Sequence, residues 1–362
     1  MARTLAILSF LMLGAWPVQA LESSQGTLQA EEMASGLEAP WAFGFLPSGL
    51  VLITEKPGRL LALGPDGALH EIGGLGDIAN RGQGGLLDIL VPRDFSTSRE
   101  LLFSYAKPQS GGAGTAVARA RLNAAEDRLE DWTVIYEMTP GSSGGRHFGS
   151  RLVEAEDGTI FVTMGERGDR PSAQDLAREN GSVLRITRTG DIPKDNPFAN
   201  EAGARSAIWS YGHRNPQGAA LDQDGQLWVS EHGAKGGDEI NKITKGANYG
   251  WPVISYGRHY SGAKIGEGTS KPGMEQPAHY WDPSIAPSGL MIYSGALWPE
   301  WRGHVFTGSL KFGFLSRLDP ADWSEERIDG PETGRLRDVR EGPEGAIWLL
   351  SEEQGALYRV TP

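Results

Sequence analysis

The chain contains no cysteine among its 362 residues. Disulfide staples are excluded, so stability has to come from a large core and from bound ions. A chain of this length can bury such a core. Zinc is disfavoured as well, because the seven histidines lack ligand spacing and have no thiolate beside them. There is no Gly-x-Ser-x-Gly elbow. No dinucleotide fingerprint follows a strand and opens a helix, which argues against nicotinamide or flavin chemistry in a Rossmann frame. Gly82-Gln83-Gly84-Gly85 is glycine-rich but lacks the Lys-Ser/Thr of a phosphate loop. Positive charge is scarce: 34 Lys and Arg face 46 Asp and Glu, for a formal net charge of -12. Such a chain is a poor binder of nucleic acid or anionic membrane, so a local basic cluster reads as a specific anion site.

Long apolar runs are missing beyond the N-terminus. Residues 1–20 combine Arg3, an apolar run from Leu5 to Ala15 and the small-residue ending Val18-Gln19-Ala20. The run is too short to span a bilayer and has the layout of a secretory signal cleaved after Ala20. Residues 21–362 are then expected as one domain, periplasmic or secreted.

Turn formers and aromatics are plentiful: 50 glycines, 22 prolines and 11 tryptophans, with little helical periodicity. One unit recurs. A turn leads into a strand at Gly49-Leu-Val-Leu-Ile-Thr54, Glu100-Leu-Leu-Phe-Ser-Tyr105 and Gly158-Thr-Ile-Phe-Val-Thr163, and again at Gly225-Gln-Leu-Trp-Val-Ser230, Gly303-His-Val-Phe-Thr-Gly308 and Gly345-Ala-Ile-Trp-Leu-Leu350. Each is followed by a second strand carrying Arg or Lys, at 58–63, 116–122, 182–186, 239–243, 314–318 and 356–360. Six such pairs predict an all-β chain, a six-bladed β-propeller of four-stranded antiparallel blades. A strand at 26–34 is placed to close the ring. Long spacings put insertions at 188–205 and 248–288, where they are expected to build the mouth of a site. A short helix is predicted over 172–180.

The segments that carry chemistry are polar loops. Tyr211-Gly-His-Arg-Asn-Pro-Gln-Gly218 sets the Arg214 guanidinium beside the Asn215 carboxamide, planar donors suited to a carbonyl-rich polyanion. Glu231-His-Gly-Ala-Lys-Gly-Gly-Asp-Glu-Ile-Asn241 and Asn248-Tyr-Gly-Trp-Pro252 follow, with glycines that leave carbonyls bare enough to meet a cation. His147 sits between glycines in Gly144-Gly-Arg-His-Phe-Gly149, and Glu166 ends the next strand. Glu166 either orients that imidazole or pairs with Arg167 or Arg170. Arg335 and Arg337 share one face of an extended segment. They are either solvated edge decoration or, with Lys311 and Arg214, a clamp for a multi-carboxylate ligand.

Together these segments resemble the soluble quinoprotein aldose sugar dehydrogenases, relatives of soluble quinoprotein glucose dehydrogenase. The likeness runs from about Leu37 to Val360. It is carried by Gly82-Gln-Gly-Gly-Leu-Leu-Asp88, Arg146-His-Phe-Gly149, Gly190-Asp-Ile-Pro-Lys-Asp-Asn-Pro-Phe198, Gly212-His-Arg-Asn-Pro-Gln-Gly218, Gly237-Asp-Glu-Ile-Asn241, Asn248-Tyr-Gly-Trp-Pro252 and Arg335-Leu-Arg-Asp338. The resemblance implies oxidation of aldoses at C1 to lactones, with hydride transfer to pyrroloquinoline quinone (PQQ) and a calcium ion polarising the quinone. By that likeness His147 is the general base supported by Glu166, and Arg214 acts at the quinone oxygen. Gln83, Arg214, Asn215, Tyr260, Lys311, Arg335 and Arg337 match quinone-binding positions. Gly233 and Ala234 match the carbonyl ligands of the catalytic Ca2+, and Glu239 and Tyr249 those of a structural ion. Glu166 stands where the glucose enzyme has Asp, and Ala234 where Pro is usual. The implied partners are an aldose and a soluble or membrane-linked electron acceptor, with no nucleic acid, in a monomer or homodimer. Two alternatives stay open, a calcium-dependent propeller lactonase or other hydrolase and a non-catalytic sugar-binding propeller.

Overall fold

The computed structural model describes residues 18–330 and 333–362; residues 1–17 of the expected signal segment lie outside them. The described chain forms five four-stranded antiparallel sheets and one of five strands. Their first strands, Pro40–Phe45, Leu86–Leu90, Gly149–Glu154, Pro216–Leu221, Pro287–Ile292 and Leu336–Glu341, each pack on the next, and the last packs on the first. The result is a closed six-bladed β-propeller, with blades 1 to 5 at residues 40–71, 86–137, 149–211, 216–281 and 287–328. Blade 6 uses residues 336–361 and borrows Gly26–Ala34, which pairs with Ala356–Thr361 and so closes the ring as expected. Val18–Ser23 adds a fifth strand outside it.

The strands recognised in the sequence are the second and third of each blade. Val51–Glu55, Ile160–Met164, Val305–Ser309 and Ile347–Ser351 are buried along their whole length. Neighbouring blades cover both faces, so these strands read as nearly unbroken apolar runs. The glycine that leads into them serves the tight turn from the first strand. Gly49, Gly158, Gly225, Gly303 and Gly345 all hold φ between 77 and 91, a conformation that residues with a Cβ avoid. The outermost strand of blade 1, Leu69–Glu71, is short and exposed, which blunts that sheet edge.

Two expectations need correction. The helix predicted over 172–180 is a single 3-10 turn, Arg170–Gln174, because side-chain and loop contacts rather than an i to i−4 ladder hold the segment. The insertion at 188–205 does not reach the mouth. It joins the third and fourth strands of blade 3 on the opposite face, where Arg188 pairs with Asp94 and Glu100 at 2.7 Å each. The insertion after residue 248 does climb to the site face and brings Trp251 and Tyr260 beside Arg214.

Every first strand slips register near its start, between Pro40 and Ala42, Leu86 and Ile89, Gly149 and Leu152, Pro216 and Gly218, Pro287 and Leu290, and Leu336 and Asp338. Such bulges re-aim side chains. Here they accompany a buried ionic hub on the ring axis. Arg151 binds Asp88 at 3.0 Å and Asp338 at 3.1 Å, and Arg340 binds the same two aspartates at 2.5 and 2.8 Å. The hub joins blades 2, 3 and 6. Removing one partner strands a buried charge, which typically costs about 3–5 kcal/mol. Asp88→Ala is therefore expected to lower unfolding free energy by that amount in urea titration, and a loss under about 1 kcal/mol would deny the hub its role.

Candidate active site

The turns that precede each first strand and those that follow each second strand open on one face, and the polar loops meet there. His147 is buried and holds φ 57, left-handed for a residue with a side chain. Its backbone N–H donates to Gln83 Oε1 at 2.8 Å. Gly165 makes room for it, since a Cβ there would lie 2.1 Å from the His147 carbonyl oxygen. This close approach brings Glu166 under the imidazole, with Glu166 Oε2 2.5 Å from His147 Nδ1. The same oxygen accepts the Gly168 N–H at 2.8 Å. Arg167 and Arg170, the rival partners, are engaged elsewhere. Arg167 lies 3.3 Å over the Phe148 ring, and Arg170 donates to His259.

A carboxylate on Nδ1 accepts its proton and leaves the lone pair on Nε2, the arrangement of a general base. Burial pushes His147 below its ordinary range; the Glu166 hydrogen bond opposes that and the Arg214 charge adds to it. Arg214 donates to the His232 carbonyl at 3.1 Å and lies 5.3 Å from the Trp251 ring, while its buried Nε has no partner. His232 itself is pushed down to about 3, by burial first and then by Arg214, and donates from Nε2 to the Pro287 carbonyl at 2.8 Å.

Beside this pair lies a cleft lined by Trp41, Lys56, Gln83, Asn215, Arg335 and Arg337 among others. Arg335 and Arg337 do share a face, and both reach Glu352, at 3.1 and 2.6 Å. Arg337 also donates to Gln217 at 3.1 Å. Three cations against one carboxylate leave the cleft positive in an acidic chain, which suits an anionic ligand. Lys311 stands apart, its amine 3.2 Å from the Ser284 carbonyl. Tyr260 is 71% exposed on the mouth loop.

Gly233 and Ala234 are buried, and among the described residues their carbonyls accept no hydrogen bond. Gly233 cannot carry a side chain, since a Cβ would meet the Gly236 carbonyl at 2.1 Å. Close by, Glu231 and Glu239 share a small cavity with Tyr249. Burial, and after it the Glu231 carboxylate, push Glu239 up to about 8. Among the described residues Glu231 contacts His213, Asn241 and the Arg214 backbone N–H. Two facing carboxylates that no Lys or Arg ion-pairs among the described residues, next to bare carbonyls, fit a hard cation such as calcium. The Tyr249 hydroxyl is taken by the Lys242 carbonyl and the Thr244 N–H, so Tyr249 offers this cavity its ring and backbone. Among the described residues no three His, Asp or Glu side chains group as a metal site, so any ion must draw on carbonyls.

Sequence reasoning gave no site role to Lys56, Glu352, Arg146 or Arg170. The first two stand one residue past the second strand of blades 1 and 6, and Glu166 and Lys311 stand two residues past it in blades 3 and 5. That positional recurrence was the available signal.

The family described as Glucose / Sorbosone dehydrogenase matches residues 37–359. The chain is 41% identical to aldose sugar dehydrogenase YliI of Escherichia coli (strain K12) over 353 residues, 95% of each chain. It is similar in structure to the apo form of the soluble aldose sugar dehydrogenase from Escherichia coli, with a TM-score of 0.89 and 41% identity over 93% of this chain and 100% of that one. The PQQ-bound aldose sugar dehydrogenase of Streptomyces coelicolor shares the fold, with a TM-score of 0.79 and 24% identity over 96% of this chain and 99% of that one.

His147 is expected to titrate by NMR below its ordinary value of 6.5. Glu166→Gln, which removes the charge that favours the imidazolium, should lower it further. An upward move in that variant would overturn the pairing.

Proposed function

The chain belongs to the glucose/sorbosone dehydrogenase family, and from that premise we propose that it oxidises aldose sugars at C1 to lactones with PQQ and calcium. The observation that carries the reading is the His147–Glu166 pair at the edge of a cationic cleft. Gln83, Arg214 and Asn215 would hold the quinone, with Arg335 and Arg337 on its carboxylates and Lys311 and Tyr260 at its outer edge. The Gly233 and Ala234 carbonyls would hold the catalytic calcium, and Glu239 with the Tyr249 backbone a structural ion. When bound, the quinone supplies the two-electron acceptor and calcium its Lewis acidity.

The protein's own part is orientation and proton transfer. His147 Nε2 takes the proton of the anomeric hydroxyl as C1 is oxidised. Glu166 fixes the tautomer and compensates the positive charge that the ring acquires. Arg214, buried with an unpartnered donor, stabilises negative charge developing beside it. We place the enzyme in the periplasm or outside the cell, as a monomer or homodimer passing electrons to a soluble or membrane-linked acceptor.

Adding PQQ and calcium to the purified protein should produce dye reduction with aldoses. A lactonase would instead hydrolyse lactones without quinone, and a binding protein would do neither. His147→Ala should keep quinone binding while turnover falls by roughly two to four orders of magnitude, the usual range for a general base. Near-normal turnover in the fully loaded variant removes His147 from the mechanism.

The clamp has its own test, by titrating PQQ into calcium-loaded protein. Arg335→Ala and Arg337→Ala each delete a charge-assisted contact worth about 1.5–3 kcal/mol, so each should weaken binding by about tenfold or more. Unchanged affinity in both would assign these arginines to Glu352 alone.

A further inference from the structure

A second pocket opens on the His147 side of the site, and its walls are unusually basic. Arg146, Arg170 and Arg214 line it with Gln83, Tyr260 and the His147–Glu166 pair. Glu166 is its one carboxylate and is committed to the imidazole. Asp169, the nearest acid in the chain to Arg170, is paired outward with Arg178 at 2.7 Å. Among the described residues none of the three arginines forms an ion pair with a carboxylate, although acids outnumber bases in this protein.

Arg170 is held in place. Its Nη1 donates to His259 Nδ1 at 2.8 Å, and its guanidinium carbon lies 5.4 Å from the Trp251 ring centre. Its other donors have no acceptor among the described residues. Arg146 lies against Gly168, is exposed, and makes no side-chain hydrogen bond among the described residues. A neutral sugar needs no such charge. Two guanidinium forks lining one pocket, one of them already oriented, match an anionic group on the substrate.

We infer that this pocket receives an aldose carrying an anionic group, a carboxylate or a phosphate, bound by Arg146 and Arg170; the inference rests on the aldose-oxidising reading above. The anionic group would sit away from C1, which must stay at His147, so the reaction at C1 is unchanged. The surrounding positive field would also steer such a substrate inward, an effect that salt screens.

The test compares glucose, glucuronate and glucose 6-phosphate in two assays. With protein loaded with PQQ and calcium, at least one anionic sugar should exceed glucose in kcat/KM by roughly tenfold or more, chiefly through KM and less so at high salt. Arg146→Gln and Arg170→Gln should each cut that ratio severalfold. In quinone-free protein the same anionic sugar should raise the melting temperature more than glucose does at equal concentration. Preference for one anionic sugar over the other identifies the group, and both arms are readouts of the same inference. Glucose equal to or better than both in kcat/KM, with equal melting shifts, overturns it. Should no aldose reduce the dye at all, the oxidoreductase reading fails, and the melting shifts still decide whether the pocket selects anionic sugars.

Discussion

Two aspartates and two arginines on the axis of the ring hold the rest of this structure in place. Asp88, Arg151 and Asp338 are almost fully buried, and any one alone would be too costly to desolvate. Each is tolerable because the others meet it from different blades. Blade 1 contributes ring faces, with Trp41 4.6 Å from the Arg151 guanidinium and Phe43 5.5 Å from that of Arg340. Blade 4 contributes the Gln217 carbonyl, 3.2 Å from Arg151 Nε. Blade 5 contributes space: a Cβ on Gly289 would lie 2.0 Å from Asp338 Oδ1. All six blades therefore converge on one ionic cluster in a chain that has no disulfide to tie them.

The cleft is attached to this hub by neighbouring residues of the same strands. Arg337 and Asp338 are adjacent across a register slip, one reaching the cleft and the other the hub. Gln217 touches both, its side-chain oxygen accepting from Arg337 and its backbone carbonyl from Arg151. The bulges that shape the hub thus also set where the cleft's guanidiniums stand. Rigid placement of this kind lowers the ordering cost of ligand binding.

The fold was legible because two strands of each blade are buried on both faces and announce themselves as apolar runs behind a glycine turn. The first strands were not legible. They begin with Pro, Gly or Leu and carry Asp88, Arg151, Gln217 or Asp338, polar residues whose burial only the hub explains. Ranges far from the axis misled in the other direction: the insertion at 188–205 looked like a mouth because length alone does not say which face a loop leaves from. At the site, His147, Glu166 and the paired arginines stood out by residue type and spacing. Lys56 and Glu352 did not, since a charged residue in a turn looks ordinary until six turns are seen to open on one cleft.

One field serves binding and catalysis alike. The cationic walls that attract an anion also oppose protonation of a nearby imidazole, and Arg214 acts on His147 in that sense. Burial and the positive surroundings both lower the basicity of His147. Glu166 restores part of that basicity through a single short contact without neutralising the cleft, because its charge is spent on the ring. Glu352 plays the corresponding part among the arginines, orienting two guanidiniums at the expense of one charge. Glu166 and Glu352 are thus each placed where they direct a base or a pair of cations, and the cleft keeps a net positive charge.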